Sequence, residues 1–248
     1  LITDEVVRKF WETQPITRAM SKKPVMTLVY GSTLLSTIDG LALELVSSGV
    51  EPIKNSEGKI AYSLNALALP VGKALRAGVR QTVPKSAEMM DYLQMITRRH
   101  KEQCMHWITP VGVPVVNWSE GHVVKKVFLR SMGVESILLR YNNGQYDVRS
   151  ASNGIVPNFV HSLDSAHLCM TINDCDAQIL PIHDSFATHP CDVQKMHESL
   201  RKTFADLYSQ YSVQDFLSYN NIDTEEYPVP EQGNLDIQVV NSAPYMFC

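Results

Sequence analysis

The sequence predicts an α+β fold, because helical and strand-like patterns occupy separate stretches of its 248 residues. Helical spacing of apolar residues dominates residues 1–105. Short β-rich runs separated by glycine and asparagine follow in residues 106–150. A helix, an apolar strand and a helical tail then fill residues 151–248. We therefore expect three parts with these boundaries, the middle one built of antiparallel hairpins.

The first part is predicted to be a series of helices. Residues 3–45 carry helical spacing, with breaks expected at Pro15 and Pro24 because proline lacks the N–H that a helix interior needs. A polar connection covers residues 50–65. Two further helices are predicted over residues 66–83 and 84–103.

The period of the apolar residues changes after this point. The turn signal "NNGQ" at residues 142–145 predicts a hairpin connection. A buried strand is predicted for "ILPIHDSFATHP" at residues 179–190, and a final strand-like piece for the proline-rich C-terminal end. The other predicted strands are "MHWITPVGVPVVNW", "HVVKKVFLR", "SILLRYN" and "QYDVRS", and the other predicted helices are residues 156–175 and 191–220.

Composition excludes several classes of protein. The five cysteines are scattered without a C-x-x-C pair, which argues against a disulfide framework or a structural zinc site and favours a reducing, cytosolic compartment. No apolar run is long enough to span a membrane, and the N-terminus has no signal-peptide pattern. Because the first residue is Leu, we expect the native start to lie upstream.

The net charge of −4 conceals an uneven distribution. Residues 1–150 contain 19 Lys and Arg against 13 Asp and Glu, whereas residues 151–248 contain 3 against 13. The basic first part is suited to phosphate groups. The acidic second part is either a metal-binding region or a solvated surface.

A basic stripe is predicted on one helix of the first part. Arg18, Lys22, Met26 and Tyr30 recur every four residues and therefore lie along one side of a helix about 18 Å long. Cations at one end, with Tyr30 and Gly31 at the other, suit a ligand that has a polyphosphate tail and a flat or hydroxylated head. The same spacing is also found on helix faces that are merely exposed to solvent.

Two further segments carry ionisable residues. The spacing of His161, Asp164 and His167 predicts either a metal-binding helix face or a capped helix whose histidines are satisfied by neighbours. His183 and Asp184 are expected near the end of the buried strand, where a central sheet opens toward solvent. A buried carboxylate is costly unless it is paired, so the partner of Asp184 is either a protein donor or a divalent metal ion.

The segments "TRAMSKKPVMTLVYGS", "PNFVHSLDSAHL" and "IHDSFATH", in this order, resemble the phage-type single-subunit RNA polymerases. "HWITPVGVPVV" and "EQGNLDI…PYMFC" are similar to the strand pair before that family's promoter hairpin and to its C-terminal foot. The resemblance covers nearly the whole chain. It implies the C-terminal portion of a right-hand polymerase fold, with helical fingers and an antiparallel palm sheet.

The resemblance also implies roles for individual residues. Arg18 and Lys22 would bind the triphosphate of the incoming ribonucleotide, with Tyr30 and Gly31 against the nascent base pair. Tyr30 would sense the ribose, with His161 near its 2′-hydroxyl. Asp184 would bind two catalytic Mg²⁺ ions, and His183 would lie close to the primer end, so that Asp184, Lys22 and His183 form the catalytic set.

One carboxylate cannot hold two Mg²⁺ ions, and here the sequence departs from the family. The second aspartate belongs to a palm strand well upstream of the Arg18 helix, and only 17 residues precede Arg18. Asp39, Asp147 and Asp164 lie in other surroundings. The resemblance therefore implies one chain of a split, two-subunit bacteriophage polymerase, active in the cytoplasm of the infected host. A partner chain would supply the second aspartate, the thumb and the N-terminal region.

The remaining expectations concern ligands and competing functions. DNA template, nascent RNA and ribonucleoside triphosphates are the implied ligands, and no membrane is involved. The region from Val116 to Arg149, with Lys125, Lys126 and Arg130, either reads promoter bases or only contacts phosphates. The alternatives are a metal-dependent phosphohydrolase of the HD type, which would be helical around its His–Asp pair, and a non-catalytic subunit that binds nucleic acid.

Overall fold

The computed structural model of the protein describes residues 2–28, 30–128, 136–182 and 185–246. The chain forms two compact units, Leu1–Asp91 and Tyr92–Cys248. The α+β class is confirmed, since helices alternate with small antiparallel sheets. The functional division at residues 105 and 150 stays a prediction.

Within the described residues, the elements follow one another in a simple order. The helices are α1 (Glu5–Thr13), α2 (Arg18–Leu28), α3 (Leu34–Ser47), α4 (Leu64–Thr82), α5 (Pro84–Arg99), α6 (Val148–Asp174), α7 (Val193–Gln210) and α8 (Val213–Tyr219). The strands are β1 (Ile53–Lys54), β2 (Ile60–Tyr62), β3 (Met105–Ile108), β4 (Pro114–Asn117), β5 (Glu120–Phe128), β6 (Ser136–Tyr146), β7 (Ile179–Ile182) and β8 (Ser185–Thr188).

The first unit packs α2, α3 and α4 around one apolar core. Its buried side chains come from one face of each helix, and Phe10 and Trp11 of α1 pack against them. The indole N–H of Trp11 donates to the carbonyl of Leu67 at 2.7 Å, so this large ring is half-buried with its polar atom satisfied. The core residues are Met20, Ile38, Leu41, Leu45, Ala68 and Val71.

One expectation for the first unit, the break at Pro24, was wrong. Helix α2 does not break at Pro24 but continues through it to Leu28, because Pro24 is buried on the same face as Met20 and Leu28, and burial of the ring offsets the lost hydrogen bond. The connection over residues 50–65 contains the short hairpin β1–β2, in which Ile53 pairs with Tyr62. The break at Pro15 is confirmed, since it lies between α1 and α2.

The second unit is organised around an aromatic cluster of Trp107, Phe159 and Phe216. The ring centroids lie 5.5 to 5.7 Å apart in edge-to-face arrangements, the geometry that aromatic quadrupoles favour. The indole N–H of Trp107 donates to the hydroxyl of Ser162 at 2.9 Å. This cluster joins β3, α6 and α8 into one core.

The expected central sheet is not seen among the described residues, where strands pair only two by two. The predicted buried strand over residues 179–190 is a hairpin, in which Ile182 of β7 pairs with Ser185 of β8. The expectation that this strand is buried was wrong, because Leu180 and Ile182 are 61% and 60% exposed. Successive side chains of a strand point to opposite faces, so the side chains on one face of this hairpin are exposed to solvent.

The turn predicted at residues 142–145 was also wrong. Strand β6 continues to Tyr146 across an irregularity opposite Glu120, and the carboxylate of Glu120 accepts from the backbone N–H of Gly144 at 2.9 Å. The predicted strand "QYDVRS" ends early because Asp147 caps α6 by accepting from the N–H of Arg149 and Ser150. The chain therefore does not turn at residues 142–145: Glu120 accepts from Gly144 there, and Asp147 begins α6 soon after.

The C-terminal elements differ from their prediction in two places. The long helical tail is interrupted before α8, where Ser212 and Asp215 form a capping box. The expected final strand is the 3₁₀ helix Ile237–Asn241, which begins at the cap Asp236. The guanidinium of Arg201 donates to the carbonyl of Val240 at 3.2 Å and holds this end against α7. Over the described ranges, no helix combines the length and apolarity needed to cross a membrane.

We predict that Asn220→Asp destabilises the second unit by about 2–4 kcal/mol, because a buried amide donor becomes an acceptor. Asn220 is 2% exposed and donates to the carbonyls of His106 at 2.7 Å and Phe216 at 2.8 Å. Urea unfolding followed by tryptophan fluorescence measures the loss. The exposed neighbour provides the control, Asn221→Asp, which should change the unfolding free energy by less than about 0.5 kcal/mol. Equal effects of the two variants would refute this assignment.

Candidate functional site

Helix α2 has two opposite faces. Met20, Pro24 and Leu28 are buried on one face. Arg18 and Lys22 precede Met20 and Pro24 by two residues, which is a rotation of about 200°, and both are exposed. The core contact of α2 therefore fixes the direction in which the two cations project. The predicted stripe is present for Arg18, Lys22 and Met26, but the expectation that Tyr30 continues it on the same helix was wrong, because α2 ends at Leu28.

Neither cation of the stripe is neutralised by the described part of the chain. Among the residues that the structure describes, no ion pair or hydrogen bond to the side chain of Arg18 or Lys22 is found. The two Cα atoms are four residues apart, about 6 Å along the helix axis. Two cations at this spacing match neighbouring phosphate groups.

Tyr30 and Gly31 lie in the turn that ends α2. The N–H of Gly31 donates to the carbonyl of Leu28 at 2.9 Å, and the N–H of Ser32 donates to that of Thr27 at 3.1 Å. These two bonds form a Schellman motif with Gly31 at its left-handed position, φ 83°. Tyr30 is half-buried. The structure thus assigns Gly31 a backbone role that any side chain would strain.

One residue of this region was not predicted from the sequence. Arg76 of α4 donates through Nη1 to the carbonyl of Ser32, directly after Gly31. No motif marks Arg76, because the contact joins residues 44 positions apart in sequence. A contact of this kind is visible only once α2 and α4 are packed together.

The predicted metal face on α6 is not formed by its three residues. His161 and Asp164 are exposed, with 3.6 Å between Nδ1 of His161 and Oδ2 of Asp164. His167 is buried, and its Nε2 lies 2.9 Å from the carbonyl of Leu200, beside the ring of Phe204. The alternative of a capped helix with satisfied histidines therefore describes His167.

The predicted catalytic pair His183 and Asp184 lies outside the described residues. The strands on each side, Ile179–Ile182 and Ser185–Thr188, are paired with each other. The ring of Phe186 in β8 lies 6.5 Å from that of His167 in α6. This contact places the β8 end of the hairpin beside the helix that carries His161.

Several aspartates in the described part of the chain already have structural roles. Asp147 caps α6, Asp39 accepts from the amide of Asn65 at 2.8 Å, and Asp164 lies beside His161. No group of three or more His, Cys, Asp and Glu side chains that could hold a metal ion occurs in the described ranges. Magnesium requires oxygen ligands in near-octahedral geometry. The described residues alone therefore do not fit a magnesium site.

The hairpin β5–β6 carries its cations on both faces. Lys125 pairs with Leu139 and Lys126 with Leu138, so successive lysines point to opposite sides. The ammonium of Lys126 lies 5.2 Å from the ring centroid of Phe128. Arg130 lies outside the described residues. The predicted contact of this hairpin with nucleic acid stays a prediction.

Comparison with known proteins defines the family. The model of the family described as DNA-dependent RNA polymerase matches residues 3–225. This chain belongs to that family. Its match includes the basic stripe of α2, the His161 helix and both strands that flank Asp184.

Individual relatives come from phages and from plant organelles. The DNA-directed RNA polymerase of Pseudomonas phage phiKMV is 34% identical over 243 residues, which is 96% of this chain and 29% of the phage protein. DNA-directed RNA polymerase 2, chloroplastic/mitochondrial, of Arabidopsis thaliana is 30% identical, with 94% and 23% covered. The enzyme of Enterobacteria phage T3 is 28% identical, with 96% and 30% covered. The chain thus spans less than a third of these relatives.

We predict that His167 makes stability depend on pH. Burial lowers the pKa of His167 below its ordinary value of 6.5, so the unfolded chain binds the proton more tightly than the folded one. The stabilisation is complete above the unfolded pKa and is lost as the pH falls below it. Between about pH 7.5 and 5.5 the parent should therefore lose more unfolding free energy than His167→Gln.

Urea unfolding at both pH values measures this difference. The exposed His197 of α7 provides the control, since His197→Gln should leave the pH dependence of the parent unchanged. A parent and a His167→Gln variant with the same pH dependence would contradict the prediction.

Proposed function

We propose that this chain forms the nucleotide-binding and catalytic portion of a DNA-directed RNA polymerase with helical fingers and a palm of the right-hand fold. The observation that carries the proposal is the α2 face with Arg18 and Lys22 exposed and unpaired among the described residues, opposite a buried stripe. The family match over residues 3–225 supports it. The substrates are ribonucleoside triphosphates, with a DNA template and a nascent RNA.

Arg18 and Lys22 bind the triphosphate of the incoming nucleotide. A guanidinium and an ammonium provide charge-assisted donors to phosphate oxygens and stabilise the charge that develops on the pyrophosphate leaving group. Their positions on α2 fix the side of the helix from which both side chains reach the nucleotide. The buried face of α2, which carries Met20, Pro24 and Leu28, thereby keeps both cations on the side of the helix proposed to bind the triphosphate.

Tyr30 and Gly31 contact the sugar and base end of the same nucleotide. Both follow the last turn of α2, so they lie beyond the phosphate-binding cations along the helix axis. His161 of α6 is proposed as a second contact near the 2′-hydroxyl, because its ring is exposed next to Asp164. A polar group placed for this hydroxyl favours ribonucleotides over deoxynucleotides.

Asp184 is proposed as a ligand of two Mg²⁺ ions, with His183 at the primer end. When bound, such ions activate the attacking oxygen and stabilise the leaving oxygen. The described carboxylates do not complete this site, and we propose that the second aspartate comes from polymerase sequence outside these 248 residues. That sequence includes the thumb and the N-terminal region. We propose a separate partner chain as its source, in a phage-encoded enzyme that acts in the cytoplasm of the infected bacterium.

The strands on each side of Asp184 argue against the alternative function, a phosphohydrolase of the HD type. Such an enzyme is helical around its His–Asp pair, whereas Asp184 follows β7 and precedes β8. The non-catalytic subunit differs from our proposal in one measurable way. It predicts that Asp184→Asn has no effect on nucleotide addition by the completed polymerase, whereas our proposal predicts complete loss with template binding retained.

The proposal is tested by combining this chain with the segment that supplies the missing aspartate and measuring RNA synthesis. We predict that Lys22→Gln lowers kcat/KM for ribonucleotides about 10- to 100-fold, as expected for loss of one charge-assisted bond. The adjacent residue gives a matched control. Lys23 is also exposed but points about 100° away from the stripe, so Lys23→Gln should change kcat/KM less than about threefold. Equal losses for both lysines would remove Lys22 from the site.

We also predict that Tyr30→Phe relaxes sugar selectivity. The variant keeps the aromatic ring but loses one hydroxyl, and a net hydrogen bond of about 0.5–1.5 kcal/mol corresponds to a change of about tenfold or less. The relative kcat/KM for deoxynucleotides should rise while activity with ribonucleotides survives. Single-nucleotide addition measures both. An unchanged ratio of the two substrates would leave Tyr30 as a packing residue.

A further inference from the structure

Helix α4 holds the turn that carries Tyr30. The guanidinium of Arg76, in the fourth turn of α4, donates to the carbonyl of Ser32. Ser32 is the second residue after Tyr30 and the first after the left-handed Gly31. This is a side-chain bond between the helix α4 and the connection from α2 to α3.

The bond is made in a partly desolvated place. Arg76 is half-buried, and its pKa is lowered first by burial and then by the nearby charge of Arg80. The guanidinium nevertheless remains charged, because an arginine does not lose its proton in a protein. A charged donor to a partly buried carbonyl forms a stronger hydrogen bond than a neutral one.

Ser32 is held through its backbone. Its N–H donates to the carbonyl of Thr27 at 3.1 Å, and its carbonyl accepts from Arg76. The hydroxyl of Ser32 is buried and makes no hydrogen bond with any described residue. These two hydrogen bonds at the backbone of Ser32, one to α2 and one from the Arg76 side chain of α4, therefore set the path of the chain through Tyr30 and Gly31.

We propose that Arg76 is a positioning residue that fixes Tyr30 relative to Arg18 and Lys22, and that it sustains the selection of ribose through this bond. The inference deepens the proposed function and rests on it. A turn that is tied only to α2 can shift by fractions of an ångström without unfolding. A displacement of that size matters at a contact with a single sugar hydroxyl.

Arg76→Gln tests the inference in the completed polymerase. The relative kcat/KM for deoxynucleotides should rise about two- to tenfold and no more than in Tyr30→Phe, since Arg76 acts through Tyr30. The double variant Arg76→Gln with Tyr30→Phe should show no further rise over Tyr30→Phe. Arg76→Lys, which retains one charged donor, should restore part of the parent's selectivity.

Arg80→Gln is the matched control. Arg80 lies one turn further along α4 and pairs with Asp91, so its loss also removes an arginine bond from this helix. It should lower the Tm slightly and leave the ratio of deoxynucleotide to ribonucleotide use at the parent's value.

The outcomes separate the two proposals. If the parent polymerase is active and Tyr30→Phe is relaxed, but Arg76→Gln and Arg76→Lys keep the parent's sugar ratio with only a lower Tm, Arg76 is structural and the inference fails. The inference also fails if Arg76→Gln and Tyr30→Phe have additive effects. If Arg76→Gln does not fold, Arg76→Met, which keeps an apolar stem but has no donor, takes its place, and a folded Arg76→Met with the parent's ratio overturns the inference. An inactive completed parent would instead overturn the proposed function.

Discussion

Burial of Met20, Pro24 and Leu28 is the contact on which the proposed site depends. Each of these apolar side chains contributes on the order of 1–3 kcal/mol when it leaves water, so rotating α2 by one residue would cost several kcal/mol. The rotation of the helix is therefore fixed by the core, and with it the direction of Arg18 and Lys22. Two lysines next to each other in sequence, Lys22 and Lys23, are distinguished by this contact alone.

The few Lys and Arg side chains of residues 151–248 already have partners within the chain. The cations available in residues 151–248 are all engaged within the chain. Lys195 pairs with Asp192 at 3.3 Å, Lys202 pairs with Asp174, and Arg201 donates to backbone carbonyls of the C-terminal segment. The proposed contact with phosphate groups therefore rests on residues 1–150, which carry 19 of the 22 Lys and Arg.

The features that were predicted correctly are those set by residues close together in the sequence. The helices α1, α3, α4 and α5 and the stripe of α2 follow from the helical period, which is set within a few residues. The sheets were predicted less well, because pairing depends on distant residues such as Glu120, whose carboxylate replaces a turn. Arg76 could not be predicted for the same reason. His167 was ambiguous because the spacing of a histidine does not reveal whether its side of the helix is buried.

The isolated hairpins have a consequence for handling the chain by itself. Strands β5 and β6 run for 9 and 11 residues, and among the described residues each pairs with only the other. Each strand thus presents a row of unbonded N–H and C=O groups to solvent, flanked by exposed Val123, Leu138 and Tyr141. Such edges are templates for self-association into larger aggregates. Lys125, Lys126 and Arg140 interrupt the apolar surface, and charge repulsion between copies opposes this association most strongly at low ionic strength.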